Sequence, residues 1–239
     1  IVYNITLQKY RRCFMSNLTI YHGSSEIIEN PEYRKGTVYN DYGQGFYCTE
    51  HINLAKEWAC TENTDGFVSK YEIDISSLSI LNLSSEEYTI LHWLALLMNN
   101  RQVRLSTPIM KKGAKWLYEN FLPDITGCDV IIGYRADDSY FSFARAFVNN
   151  EISLKQLSYA MRLGNLGEQF VLKSSKAFDC IRFTSYEPAD STIYYTLRKA
   201  RDEEARNAFF AELENDDTDG IFMRDITRKE IKPDDLRLR

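Results

Sequence analysis

A chain of 239 residues with 44% hydrophobic content carries enough apolar surface for one sizeable core, which excludes a mainly disordered protein. Its 29 basic and 34 acidic side chains give a net charge of -5 and form no basic stripe, so general nucleic-acid binding has no support. The cysteines, Cys13, Cys48, Cys60, Cys128 and Cys180, are odd in number and lack any close pair with zinc-ligand spacing; they read as free thiols of a cytoplasmic protein, with no metal.

Residues 1–17 read as an N-terminal extension, because Met15-Ser16-Asn17 stands just before the first good strand and no cleavable signal pattern precedes it. The leading residues are expected to be a remnant of a longer chain or translated upstream sequence. Leu18 to Tyr21 predicts a strand and Asn53 to Cys60 a short helix with Leu54 and Trp58 on one side. Phe67, Tyr71, Ile73 and Ile75 alternate as a strand that ends in Ser76-Ser77.

Ser84-Ser85-Glu86-Glu87 has the composition of a helix start, which predicts a helix from Glu86 to Asn99. Its apolar stretch, Ile90 to Met98, is too short to cross a bilayer, so no membrane role is expected. Thr107-Pro108 opens a further helix that Pro123 stops, and Cys128 to Tyr134 predicts a buried strand.

Ser139 to Val148 and Ser153 to Leu163 predict two helices, the second closed by Gly164 and Gly167. Gln169 to Leu172 and Asp179 to Phe183 read as neighbouring strands joined by the turn Lys173-Ser174-Ser175-Lys176. Leu197 to Glu214 is a charged helix within a C-terminal tail or appendage, residues 187–239, and Asn215 to Gly220 is an acidic turn. The pattern is α+β, since strands and helices do not alternate strictly.

Two short motifs carry the functional signal. The first, Ile20-Tyr21-His22-Gly23-Ser24, puts a histidine and a glycine at the end of an apolar strand. The second, Asp41-Tyr42-Gly43-Gln44-Gly45-Phe46-Tyr47, puts an aromatic ring behind two glycines that let backbone approach a flat ligand. Together with Ala55 to Trp58 and the later Glu168-Gln169-Phe170-Val171-Leu172, they resemble the ADP-ribosyltransferase superfamily, in the branch that includes diphtheria toxin and the poly(ADP-ribose) polymerases. From Leu18 to Tyr186, and notably over Gly133 to Phe141, the chain is more closely similar to an uncharacterised bacterial domain family grouped with that superfamily.

The resemblance implies a split antiparallel β-sheet core over residues 18–186 and NAD as substrate, with no metal. It implies that His22 hydrogen-bonds a ribose hydroxyl, that the Gly23 backbone pairs with the nicotinamide amide, and that Tyr47 stacks on the nicotinamide ring. Ser24 and Gly45 fall in the same cofactor-binding set. The expected reaction is transfer of ADP-ribose to an unidentified macromolecular acceptor, as in bacterial toxins and conflict effectors, with an antitoxin or immunity protein as partner. All of this needs the His22 imidazole and the Tyr47 phenol to flank one dinucleotide-sized hollow.

Each residue also has an ordinary reading: His22 satisfied by neighbouring backbone, Gly43 and Gly45 as turn glycines, Ser24 capping backbone. Alternation lets only one of Glu168 and Gln169 face the cleft, and the apolar spacing that follows favours Gln169 in the slot where the branch uses glutamate. A neutral amide there implies slower transfer, a base borrowed from elsewhere, or a module that binds NAD or ADP-ribose without turnover. A partner-binding protein with a vestigial pocket is the remaining alternative. Arg135 is a candidate for the NAD pyrophosphate, with Asp137, Asp138 and Tyr140 as acceptor-side or supporting groups, or else it salt-bridges acids that cap the next helix.

Overall fold

The computed structural model describes residues 17–136, 138–163, 167–214, 217–228 and 231–238. Among these residues seven strands form two sheets. The first has the order β1 (Asn17–Ser24), β3 (Gly66–Asp74), β7 (Ile181–Ala189), antiparallel throughout. The second has the order β2 (Phe46–Cys48), β6 (Glu168–Leu172), β5 (Val130–Tyr134), β4 (Ile80–Asn82). Its β4–β5 pair is parallel, so this sheet is mixed where a split antiparallel core was expected. The reason is the connection: β4 reaches β5 only after α2 (Ile90–Asn100) and α3 (Pro108–Phe121), a crossover long enough to restore the strand direction.

The sheets meet at one seam, where Tyr21 and Thr49 exchange both backbone hydrogen bonds, at 2.8 and 2.9 Å. Between them lies an apolar layer built by strand alternation: Ile20, Tyr71 and Ile73 from the first sheet meet Cys48, Phe170 and Leu172 from the second, all buried. Behind the first sheet, Val68 and Ala189 pack on Ala55 and Ala59 of α1 (Ile52–Ala59). Behind the second, Ile131 and Val171 pack on a larger helical core that includes Trp93, Leu117 and Phe147. The fold is therefore α+β, with helices on both outer faces of a two-sheet sandwich.

Three local expectations shift, the first two because a capping side chain is better placed and the third because the helix ends early. Helix α2 starts at Ile90, since Thr89 accepts from Leu91 N–H while His92 Nδ1 accepts from Thr89 N–H at 2.9 Å; the serines at 84 and 85 are spent on turns. Lys173 to Lys176 does not join neighbouring strands, because Ser174 caps a helical turn, α6 (Ser175–Asp179), that carries the chain from the second sheet to the first. Ser153 likewise caps α5 (Leu154–Ala160), which is shorter than expected; Gly164 lies outside the described residues.

The segment after residue 186 forms α7 (Ser191–Leu213) and α8 (Met223–Thr227). It shares the main helical core through Ala205, Phe209, Met223 and Ile226, with the Phe209 ring 4.0 Å from that of Phe143 in α4 (Asp138–Val148). Helix α7 thus runs from the α1 side, where Tyr194 and Tyr195 pack, across to α4 and α5.

Candidate functional site

The loop before β2 is built around hydrogen bonds to its own backbone. Gly43 takes φ = 73°, a left-handed conformation that favours glycine, and lets the carbonyls of Gly43 and Tyr42 turn toward separate donors. The Tyr47 hydroxyl donates to the Gly43 carbonyl (2.6 Å) and accepts from Tyr42 N–H (3.0 Å). Lys173 Nζ donates to the carbonyls of Tyr42 and Gln44, each at 2.5 Å. Burial lowers the Lys173 pKa to about 8. A Cβ on Gly45 would lie 2.7 Å from Val171 Cγ1, so this glycine serves close packing on β6.

Asp41, 3% exposed, organises the polar centre. Its Oδ1 accepts from Arg101 Nε at 2.7 Å, and its Oδ2 accepts from Ala136 N–H at 2.9 Å and Gln169 Nε2 at 3.2 Å. Burial raises its pKa, an effect that Arg101 opposes. The bond to Asp41 orients the Gln169 amide, whose Oε1 is buried without a hydrogen-bond partner. The same holds for the Trp58 indole N–H. Both residues, with Asp41 and Tyr47, line a cavity of about 290 Å³ whose other walls include Arg101, Arg135 and Arg198. The Arg135 guanidinium lies over the Trp58 ring, 4.3 Å from its centroid.

His22 does not line this cavity. Its Nδ1 donates to the Tyr47 carbonyl at 2.7 Å, and its ring stacks on Phe46 with centroids 4.3 Å apart. A carbonyl partner assigns the proton to Nδ1, and burial lowers the pKa, so the imidazole is neutral with an acceptor at Nε2. Phe46 and Tyr47 are adjacent in β2 and so leave opposite faces of the strand, Phe46 toward the layer between the sheets and Tyr47 toward the helical core. The imidazole and the phenol therefore do not wall one hollow, contrary to expectation; they meet through the Tyr47 backbone.

Gly23 is required by packing, since a Cβ there would lie 1.9 Å from the Ala55 carbonyl oxygen in α1. Tyr21 turns its N–H and C=O away from β3 to Thr49, so Gly23, two residues on, directs its own to the same edge. Ser24 Oγ donates to the Glu26 carbonyl, the capping role its ordinary reading anticipated. Gln169 faces the cavity, and alternation sends Glu168 to the opposite face with Phe170 and Leu172. Tyr140 is buried core, its hydroxyl donating to the Leu163 carbonyl. Asp137 and the Asp138 side chain lie outside the described residues.

Residues 18–183 match the family described as Protein of unknown function (DUF3990). The chain belongs to this family. No curated protein and no solved structure matches it. The match spans every strand from β1 to the start of β7, and thus both motifs and the Gln169 face, while α7 and Arg198 lie beyond it. Among the described residues of this DUF3990 chain, no cluster of three His, Cys, Asp or Glu could hold a metal ion, and no helix is long and apolar enough to cross a membrane.

Reading the sequence missed four groups at the cavity: Asp41 as an anchor, Trp58, Arg101 and Arg198. Asp41 was in view as the charged residue opening the glycine motif, and Trp58 as a helix aromatic. Arg101 and Arg198 carry no local signal, because tertiary packing alone brings them there.

Proposed function

We propose that this protein is an ADP-ribosyltransferase of the diphtheria toxin and poly(ADP-ribose) polymerase type, its two-sheet core being that fold, which binds NAD at the seam between the sheets. The observation that carries the reading is the bond from His22 Nδ1 to the Tyr47 carbonyl. It sets the Gly23 edge of β1 beside the strand whose other face opens on the cavity. Nε2 of the neutral imidazole is then an acceptor for a ribose hydroxyl, and the Gly23 N–H and C=O suit the two-sided hydrogen bonding of a carboxamide. The Tyr47 ring lies on the cavity side of β2, so it is not the stacking partner of a nicotinamide held at the Gly23 edge.

In the reaction, the bond between ribose C1′ and the nicotinamide nitrogen breaks, with its electron pair leaving on nicotinamide. A lone pair of the acceptor forms the new bond at C1′, and the acceptor loses its proton. The sugar passes through an electron-poor state that negative or dipolar groups stabilise. Gln169 supplies only an amide dipole there, and Asp41 is already engaged by Arg101, Ala136 and Gln169. That favours slow turnover and supports a second reading, an NAD or ADP-ribose binding module. A toxin or conflict role, with an immunity partner, extends the first reading by analogy of fold.

Incubating the purified chain with NAD labelled in the adenosine moiety, plus cell extract, tests both. Labelled macromolecule supports transfer, and saturable binding without nicotinamide release supports the module. Absence of NAD binding removes both.

A further inference from the structure

We propose that Arg198 is a specificity-determining residue: its guanidinium binds a phosphate of the ligand while Gln169 Oε1 accepts a hydroxyl of the same molecule. The inference rests on the nucleotide reading of the cavity and adds which part of the ligand is recognised, and by a residue outside the family match.

Charge is the first support. Asp41 is the carboxylate among the described cavity walls, and its Oδ1 is held by Arg101 at 2.7 Å. Arg198 adds a guanidinium to the wall that this carboxylate does not pair with. Arg198 has no carboxylate within ion-pair distance among the described residues, and it is half-buried. Its position is fixed by neighbours: Arg201, one turn on, pairs with Glu57 of α1 at 2.8 Å, and Lys56 pairs with Glu187 at 2.7 Å just before α7. Those pairs anchor this part of α7 on α1, and Arg198 lines the cavity together with Trp58.

Hydrogen-bond demand is the second, independent support. Gln169 is 6% exposed, and with Nε2 committed to Asp41 its Oε1 can be satisfied only by a donor. The Trp58 N–H needs an acceptor. A bare anion satisfies Trp58 and Arg198 but not Gln169; a sugar phosphate satisfies all three. A volume of about 290 Å³ is at the small end for ligand pockets and suits one sugar-phosphate portion of a dinucleotide.

The test is calorimetric binding of NAD, nicotinamide riboside and inorganic pyrophosphate to the full chain, its R198Q variant and its R198E variant. Removing one charge-assisted contact should weaken NAD and pyrophosphate about tenfold in R198Q, and further in R198E, with the riboside unchanged. The melting temperature should not move, because Arg198 has no ion pair to lose. Unchanged NAD affinity in R198Q and R198E, or an equal loss for the riboside, overturns the proposal and leaves the NAD reading standing. Pyrophosphate binding that R198Q weakens, with no binding of NAD or riboside, supports the phosphate role and removes the NAD reading. A wild-type chain that binds none of the three overturns both.

Discussion

The two faces of strand β6 obey different physics. Phe170 and Leu172 point between the sheets into a buried apolar cluster, where area burial dominates the contact. One residue away, Gln169 and Val171 point to the other face, where a carboxylate, three guanidinium groups and an indole converge on a cavity. On the first face the cost of a change is a cavity term. On the second it is the cost of leaving a buried polar group without a partner, and two atoms there, Gln169 Oε1 and the Trp58 indole N–H, already lack one.

Phe170→Ala should have the largest effect, about 3–5 kcal/mol of unfolding free energy by denaturant titration, through the space it leaves. NAD binding by the folded fraction should persist. Asp41→Ala should cost about 3 kcal/mol, because it strips partners from Arg101, the Ala136 N–H and Gln169 at once, and it should abolish NAD binding. Equal binding in these two variants would break the contrast between the faces.

Gln169→Glu sharpens it, by setting a second carboxylate against Asp41. Each would hold the other's folded pKa above its unfolded value, so the folded state keeps the proton longer. The variant should therefore match the wild type best near pH 4 and lose stability relative to it as pH rises, which chemical denaturation across pH 4 to 8 measures. Gln169→Met, which removes the unpartnered acceptor and keeps the volume, should change stability by only about 1 kcal/mol while weakening NAD binding.

The remaining effect shows only in alkaline solution and concerns Lys173, whose pKa falls from 10.5 to about 8 on folding. Between those values the unfolded chain holds more protons, so stability should climb as pH rises from about 8 and level off above 10.5. That slope should be missing in Lys173→Met. A slope shared by both proteins would assign it to other groups.

Much of the framework could be read from local pattern. The alternation of Phe67, Tyr71 and Ile73 marks β3, the proline of Thr107-Pro108 starts α3, and the apolar run Cys128 to Tyr134 marks β5. Caps carry a weaker local signal, because Ser84, Ser85 and Thr89 are all plausible helix starts and the hydrogen bond from Thr89 N–H to His92 Nδ1 selects Thr89. The expected convergence of the His22 and Tyr47 rings failed on a single-residue matter: β2 is only three residues long, and alternation within it sends Phe46, not Tyr47, to the histidine. The transfer reading accordingly stands on the Tyr47 backbone and the cavity, not on two rings in one hollow.

The amino-acid order by itself determined most of the longer strands and helices and the glycine turns, since those follow from periodicity and backbone freedom over a few residues; the short β2, β4 and α6 were outside its reach. It also narrowed the β6 candidates to two adjacent side chains. Only the tertiary structure decided that Gln169 faces the cavity, that Asp41 holds it there, and that Arg101 and Arg198 arrive from helices distant in the chain. Those facts depend on which faces of separate elements are buried together, and no short window of sequence contains that information.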